Sequence, residues 1–351
     1  MKSAILFGGA SYEHEISIVS AIALKKVLKG ALTFIFLDAD GNFYLIPSDS
    51  MKSNHFSSGD YKNDERLTLV RGGFEKRGLL KSRRLEHGTL LNLIHGAEGE
   101  DGTIAALLDF FKIPYIGPRK EASVLSFNKW LTKLYAEGIG VRTVDYQLLR
   151  IGDAREPIFG YPIIVKPLRL GSSIGVSIVR KAEELDFALD VAFEFDDEVL
   201  IEPFIEGIEE YNVAGCKAGE EWILSRIEAP QKKEYLDFDQ KYLDFARTES
   251  VQTANIDATL ESDLKETFKK VYGSLFEGAL IRCDFFVASG EILLNEINPI
   301  PGSMANYLFE DFSGTLAQLE NHLPRKRPIV PDYAYINKVQ SAKGPKLGSD
   351  R

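Results

Sequence analysis

Apolar residues follow two periods along the first third of the chain. Residues 4–7 form a short apolar run that predicts a buried strand, and a glycine turn at 8–11 follows it. Apolar positions at helical spacing then predict a helix over 17–28, with Ser17 as a candidate N-cap. Further strands are predicted at 33–37, 43–46 and 90–94, and a helix at about 103–111. Strands that alternate with helices indicate a parallel sheet.

The rest of the chain divides at breaks in this pattern. A boundary is predicted near Gly117, and a pair of helices follows over 120–138. The remaining predicted elements are strands at 146–149, 163–166, 176–179, 199–202, 211–217 and 222–228, a helix at 260–278, and a hairpin over 281–298. We therefore predict units at 1–117, 118–206 and 207–330, with a candidate lid loop at 231–250 and a tail at 331–351.

Two segments lie outside the predicted elements, and the first of them is predicted to carry no chemistry. Residues 47–66 are polar and indicate a surface excursion, and residues 338–351 indicate a weakly ordered tail.

Composition limits the classes of function. The 351 residues are 44% hydrophobic and 27% charged, as in ordinary globular proteins, but the net charge is −10. This charge argues against binding to nucleic acids or to anionic membranes. Cys216 and Cys283 are the two cysteines and lie in apolar runs, which excludes a disulfide framework. The apolar run at 4–7 is too short for a signal peptide, so we expect a cytoplasmic protein.

The predicted hairpin contains four polar side chains at strand spacing. Arg282 and Asp284 share one face of the first strand, and Glu296 and Asn298 share one face of the second. A three-residue loop ending at Gly290 would place Arg282 opposite Glu296, with Asp284 on the diagonal. Two carboxylates and an amide oxygen suit Mg²⁺. The alternative is a half-buried hairpin with a solvated polar face.

A second cluster begins at Lys166, which ends a predicted strand and enters a Gly/Ser loop at 171–175. The backbone N–H groups of such a loop can surround phosphates, while the lysine supplies a point charge. The loop is not a Walker A motif, because the spacing differs and a strand follows it. Taken alone, it is more typical of an ordinary hairpin.

Several single residues suggest a ligand site but each has a plain alternative. Glu13 follows the first strand, where it would suit a substrate ammonium or simply compensate a helix N-terminus. His95 ends a buried strand at the edge where α/β sites form. Glu202 begins a segment that would contact a base or serve as a linker, and Lys129 is a candidate phosphate lysine or a solvated one.

Five ordered motifs together resemble the D-alanine–D-alanine ligase family of the ATP-grasp superfamily, from about residue 6 to 308. They are residues 6–17 (LFGGASYEHEIS), 95–102 (HGAEGEDG), 166–175 (KPLRLGSSIG), 241–242 (KY), and 282–284 (RCD) with 295–298 (NEIN) and 301–302 (PG). The resemblance implies an α/β chain, α+β in its C-terminal part, with a three-domain ATP-grasp architecture and a Rossmann-like N-terminal domain.

The resemblance also implies an activity and its residues. The family joins two D-alanines at the expense of ATP through an acyl phosphate, for peptidoglycan and hence cell-wall synthesis, with two Mg²⁺ or Mn²⁺ ions; a homodimer is expected. It implies ATP contacts from Lys129, Lys166, Ser172, Ser173, Glu202, Phe204, Ile205, Glu210 and Lys241, and metal ligation by Asp284, Glu296 and Asn298. It implies catalytic roles for Glu13, Ser172, Tyr242, Arg282 and Gly302, and substrate contacts from Glu13, His95, Arg282, Gly302, Tyr307 and Leu308.

Tyr242 after a lysine resembles the relatives that form the dipeptide rather than D-alanyl-D-lactate. The chain departs from the family pattern at Pro299, at Tyr307 and by an additional residue at Glu209 and Glu210, and these departures concern the acceptor. The competing hypotheses are another ATP-grasp ligase that joins a different carboxylate and amine, and an ATP-binding module without turnover.

Overall fold

The computed structural model describes residues 2–78, 81–230, 251, 253–325 and 327–343. The first part of the chain forms an eight-stranded sheet in the order β6-β5-β4-β3-β2-β1-β7-β8. Its strands are β1 (Lys2–Gly8), β2 (Ala31–Leu37), β3 (Phe43–Ile46), β4 (Glu65–Val70), β5 (Gly73–Lys76), β6 (Arg83–Arg84), β7 (Thr89–Asn92) and β8 (Tyr115–Ile116). The helices are α1 (His14–Val27), α2 (Ser53–Ser57) and α3 (Thr103–Phe110). Strands β2, β1 and β7 are parallel, as predicted, and are joined by a further parallel strand, β8, that was not predicted. Strands β3 to β6 extend the sheet antiparallel.

Helix α1 begins earlier than predicted. Its N-cap is Glu13, and Ser17 lies inside the helix rather than at its end. The Ser17 hydroxyl accepts a hydrogen bond from Gly8 N at 2.8 Å and donates to the Leu93 carbonyl at 2.6 Å. Ser17 therefore joins α1 to the two neighbouring parallel strands, which a local capping rule does not anticipate.

The segment predicted as a surface excursion contributes to the core. It contains α2 and two short 3-10 helices, Ser48–Ser50 and Asp60–Asn63. Met51 and Phe56 are buried, and the Phe56 ring lies edge-on to Phe7 with its centroid 5.5 Å away. Because the segment is polar in composition, its sequence did not indicate that Met51 and Phe56 are buried, and the prediction was wrong for these two residues.

The middle of the chain forms a four-stranded antiparallel sheet in the order β10-β13-β11-β12. Helices α4 (Lys120–Phe127) and α5 (Lys129–Gly138) precede it, as predicted. The elements that follow are β9 (Arg142–Thr143), β10 (Gln147–Arg150), β11 (Ile163–Pro167), β12 (Ser177–Val179), a 3-10 helix (Ala182–Glu184), α6 (Leu185–Phe193) and β13 (Glu198–Pro203). Helix α6 was not predicted.

The last sheet has the order β15-β14-β16-β17-β9 and so includes a strand from before the middle sheet. Its elements are β14 (Glu209–Ala218), β15 (Glu221–Leu224), α7 (Ala258–Tyr272), β16 (Ile281–Ala288), β17 (Glu291–Asn298), a 3-10 helix (Gly302–Leu308) and α8 (Phe312–Asn321). Strand β15 and helix α7 end earlier than predicted, and α8 was not predicted. A further helix, α9 (Ala334–Lys343), includes residues 338–343 of the predicted weakly ordered tail.

Three apolar clusters stabilise these sheets. The largest runs from Phe7 in the first sheet and Leu24 in α1 to Phe268 and Met304 beside the last sheet, so one core connects the first and last parts of the chain. A second cluster lies on the other face of the first sheet, and a third belongs to the middle sheet alone. Both cysteines are buried and free, as predicted. None of the described helices has the length and apolar character needed to cross a membrane.

Candidate functional site

The loop after β1 fixes the position of Glu13. Gly8 has a φ of +103°, and a Cβ there would lie 2.1 Å from the Leu37 carbonyl oxygen, so only glycine allows this turn. The Ser11 hydroxyl donates to the His95 carbonyl at 2.8 Å and accepts from Glu13 N at 3.1 Å. Two motifs whose bonded residues lie 84 positions apart in sequence are thereby joined.

The Glu13 carboxylate is buried and only partly satisfied. Its Oε1 accepts a 2.5 Å hydrogen bond from the Ser172 hydroxyl, while Oε2 has no hydrogen-bond partner within the described part of the chain. Burial, reinforced by the nearby Glu100, raises the pKa of Glu13 to about 7. A buried acceptor of this kind would be stabilised by a cationic donor such as a substrate ammonium.

His95 and Glu100 extend this cluster inward. His95 Nδ1 lies 3.6 Å from Glu100 Oε1, and burial lowers the pKa of His95 to about 4, so the ring is neutral near pH 7. Burial raises the pKa of Glu100 to about 8, and the charge of Glu296 adds to that rise. Glu100 was not predicted as a site residue, although it lies within the motif at 95–102. Nothing in the neighbouring glycine-rich sequence indicates that its carboxylate is buried.

One predicted phosphate lysine, Lys166, and the unpredicted Lys133 both pair with the carboxylate of Glu202. Lys166 Nζ lies 2.5 Å from Glu202 Oε2, and Lys133 Nζ lies 2.6 Å from Glu202 Oε1. Burial alone would raise the pKa of Glu202, but the charges of the two lysines outweigh it and lower the pKa to about 2. Lys129 donates to the Leu170 carbonyl at 2.5 Å, and burial lowers its pKa.

The Gly/Ser loop adopts the left-handed conformations expected of an anion-binding turn. Ser172 and Ser173 have φ values of 55° and 56°, and Gly175 has a φ of 71°. A Cβ on Gly175 would lie 2.7 Å from the Phe195 ring, so the loop packs closely against the end of α6. Consecutive left-handed residues orient backbone N–H groups toward one side, which suits a phosphate.

The predicted base-side residues lie where β13 leads into β14. Phe204 N donates to the Pro162 carbonyl at 3.0 Å, and the Arg180 guanidinium lies 5.8 Å from the Phe204 ring centroid. Ile205 is exposed, and Glu210 pairs with Phe286 at the start of β14.

The hairpin of β16 and β17 differs from the predicted register. The loop has two residues, Ser289 and Gly290, both with positive φ, so Ala288 pairs with Glu291. Continuing that ladder would place Glu296 on the wrong face, opposite Cys283. A bulge between Asp284 and Phe285 corrects this, so that Asp284 pairs with Glu296 and Arg282 with Asn298. The predicted pairing was wrong.

The predicted convergence of the four side chains is nevertheless correct. Arg282 donates to both oxygens of Asp284, at 2.6 and 2.8 Å, and the Asn298 amide donates to Asp284 at 3.0 Å. Burial raises the pKa of Asp284, and the neighbouring Glu296 adds to the rise. Two facing carboxylates that oppose each other's ionisation, with an amide oxygen beside them, fit a hard divalent cation. No group of three His, Cys, Asp or Glu side chains suited to a metal occurs in the described ranges, so Asn298 would be needed.

The chain after β17 forms a buried, left-handed turn. Ser303, Met304 and Ala305 have φ values of 46°, 53° and 50°, and every residue from Gly302 to Leu308 is buried. Ser303 N donates to the Ser20 hydroxyl at 3.1 Å, which ties the turn to α1. Burial would lower the pKa of Arg282, but the charge of Asp284, with a smaller contribution from the nearby Tyr307, raises it. Lys241 and Tyr242 lie outside the described residues, as does the candidate lid loop at 231–250.

Comparison with known proteins agrees with this geometry. Two family models match, described as D-ala D-ala ligase N-terminus over residues 2–118 and D-ala D-ala ligase C-terminus over residues 137–313. The D-alanine–D-alanine ligase of Wolinella succinogenes is 59% identical over 344 residues, covering 98% of this chain and 100% of the relative. That of Helicobacter hepaticus is 55% identical over 349 residues, with the same coverage.

Solved structures of similar fold belong to ligases of the same kind. The D-alanine–D-alanine ligase of Helicobacter pylori matches with a TM-score of 0.84 and 50% identity, covering 93% of this chain and all of that one. The VanG D-Ala:D-Ser ligase of Enterococcus faecalis matches with a TM-score of 0.71 and 25% identity, covering 92% and 97%. The fold is therefore the three-domain ATP-grasp fold of ATP-dependent ligases. Within that class, the chain belongs to the D-alanine–D-alanine ligase family.

Proposed function

We propose that this protein joins two D-alanine molecules to form D-alanyl-D-alanine for peptidoglycan synthesis, with cleavage of ATP to ADP and phosphate. The observation that carries the proposal is the electrostatic cluster of Glu13, Glu100, Lys129 and Glu296. These residues come from four segments, and the charge of each affects the pKa of another. An ammonium site, a phosphate site and a cation site are thus close enough to act on one substrate.

In the first step, the carboxylate of the first D-alanine attacks the γ-phosphorus of ATP, and ADP leaves. Glu13 would hold the ammonium of this D-alanine through its Oε2 atom. Lys129, Lys166 and the loop N–H groups of Ser172 and Ser173 would hold the phosphates. Asp284, Glu296 and Asn298 would bind two Mg²⁺ or Mn²⁺ ions, which neutralise charge on the transferred phosphoryl group.

In the second step, the ammonium of the second D-alanine loses a proton to solvent, and the resulting amine attacks the acyl carbon while phosphate leaves. Arg282 and the Gly302 N–H would stabilise the tetrahedral oxyanion. We assign the binding of the second D-alanine's carboxylate to the buried residues Tyr307 and Leu308. His95, whose ring is neutral, would lie beside the first D-alanine. Phe204, Ile205, Glu210 and the backbone at Glu202 would contact the base and ribose, and Lys241 with Tyr242 would cover the site.

D-alanine is favoured over other acceptors by two observations. The relatives at 50–59% identity are D-alanine–D-alanine ligases, whereas the D-Ala:D-Ser ligase is 25% identical. Tyr242 after Lys241 also resembles the dipeptide-forming relatives. We further propose units at 1–117, 118–206 and 207–330, and a homodimer, which light scattering after size-exclusion chromatography would test.

The test is phosphate release from ATP and Mg²⁺ with D-alanine, with the product identified by mass. L-Alanine alone, and D-lactate or D-serine each with D-alanine, serve as comparisons, and EDTA should abolish release. Release with D-alanine and a dipeptide product is expected. A mixed product would indicate a different acceptor, and ATP binding without release under any condition would favour a binding module.

A further inference from the structure

Lys133 is a buried cation that the proposed reaction does not use. It lies one turn after Lys129 on α5, and 1% of its surface is exposed. Its Nζ donates to the Val144 carbonyl at 2.9 Å and pairs with Glu202 Oε1 at 2.6 Å. The Tyr146 ring centroid lies 5.3 Å away. Enclosed in this way, Lys133 has no path to a phosphate of bound ATP.

Lys133 shares its carboxylate with a lysine that faces the site. Glu202 Oε2 pairs with Lys166 at 2.5 Å, so each carboxylate oxygen of Glu202 has its own ammonium. The side chain of Lys166 remains 14% exposed, whereas that of Glu202 is 3% exposed. The three side chains therefore form a row in which only Lys166 meets solvent.

The net charge of this row depends on Lys133. Lys133, Glu202 and Lys166 together carry one positive charge. Without the charge of Lys133, Lys166 and Glu202 would form a neutral ion pair at the edge of the phosphate site. An anionic ligand would then gain little from Lys166, because the Glu202 carboxylate 2.5 Å away would cancel most of its field.

We propose that Lys133 is a positioning residue that neutralises Glu202 from behind, so that the positive charge of Lys166 remains available to the phosphates of ATP. This inference rests on the proposed function. It also accounts for a fully buried lysine, which is costly to bury and is tolerated only when it is paired.

The first test measures the Kd for ATP with Mg²⁺ by isothermal titration calorimetry on the full chain. Lys133→Met should raise this Kd about tenfold or more, because one charge is lost close to the phosphate site. Steady-state kinetics should show the loss in KM for ATP, with a smaller change in kcat at saturating ATP. Lys133→Gln, which retains a donor but no charge, should behave in the same way and is the measurement to use if the methionine variant does not fold.

A charge-restoring variant separates electrostatics from packing. Lys133→Met combined with Glu202→Gln removes one charge of each sign and leaves Lys166 with the net charge of the native row. Its Kd for ATP should be several-fold lower than that of Lys133→Met alone, because the charge of the row is restored and the backbone at Glu202, which we assign to the base, is unchanged. The matched control is Lys181→Met, which removes an exposed lysine on the same part of the chain, paired at 3.8 Å with an exposed Glu184, and should leave the Kd unchanged.

The outcomes discriminate between the two proposals. A native protein that does not bind ATP would contradict the proposed function itself. Native binding with an unaltered Kd in a folded Lys133 variant would overturn the role of Lys133 alone. A double variant as weak as the single variant would also overturn it, because the lysine would then serve packing rather than charge.

Discussion

At the scale of single residues, the site contains several carboxyl groups whose pKa is raised by burial. Glu13, Glu100 and Asp284 all have a raised pKa, and in each case burial is the principal cause. Glu202 is the exception, because two lysines hold it ionised. The protein therefore places carboxyl groups where a cationic partner would restore their charge.

The raised pKa of Glu13 predicts a pH-dependent first-substrate affinity. Glu13 is protonated in the folded protein below about pH 7 but in the unfolded chain only below its usual value near 4.5. A neutral acid does not attract an ammonium, so the Kd for the first D-alanine should rise about tenfold per pH unit below pH 7. Titration of D-alanine between about pH 5.5 and 7.5 measures this.

Two variants test whether Glu13 causes this pH dependence of the Kd for D-alanine. Glu13→Gln should weaken binding at pH 7.5 and flatten the dependence on pH. Glu15→Gln, which changes an exposed carboxylate two residues away, should retain the native profile. A native Kd that does not change below pH 7 would show that another group binds the ammonium.

At the scale of elements, the site is held closed by contacts between loops from different sheets. The hydrogen bond from Ser172 to Glu13 connects the Gly/Ser loop to the loop after β1. Beside it, the Tyr12 ring lies edge-on to Phe195 with centroids 5.2 Å apart, and Phe195 supports Gly175. The ammonium site and the phosphate site are thus joined by a polar contact and an aromatic one.

We expect the aromatic contact to contribute to substrate affinity. Tyr12→Ala should weaken substrate binding by about 0.5–1 kcal/mol, a small amount because Tyr12 is 63% exposed. The KM values for ATP and D-alanine should therefore rise about two- to fivefold. Phe195→Leu should cost a similar amount, and the double variant should lose no more than either single one. Strictly additive effects in this cycle would show that the rings do not act together.

At the scale of the whole molecule, the distribution of cores sets which parts unfold together. The largest core joins the first and last sheets through Phe7, Phe268 and Met304. The middle sheet has its own cluster, which includes Ile163 and Val165. The middle sheet is therefore the part best able to open independently, and it carries the Gly/Ser loop.

Hydrogen exchange should reveal this division. Ile163→Ala should lower the free energy of unfolding of the middle sheet by about 2–5 kcal/mol. It should accelerate hydrogen exchange in residues 147–203, with little effect on the strands at 281–298. Phe268→Ala should lower the free energy of unfolding by about 3–5 kcal/mol and accelerate hydrogen exchange in both the first and last sheets. Equal acceleration throughout the chain by Ile163→Ala would show that the molecule unfolds as one unit.

The local sequence pattern predicted most of the strands, just over half of the helices and the polar faces of the hairpin, because side-chain alternation and glycine turns are local properties. It did not predict the short strands β4, β5, β6, β8 and β9. The sequence also carried motifs specific enough to indicate the family. Only the tertiary structure decided the register of Asp284 and Glu296, the antiparallel extension by β3 to β6, and the burial of Lys133 against Glu202. Alternation fixes the face of a strand but not its partner, and a bulge or a buried ion pair depends on contacts between segments that are distant in sequence.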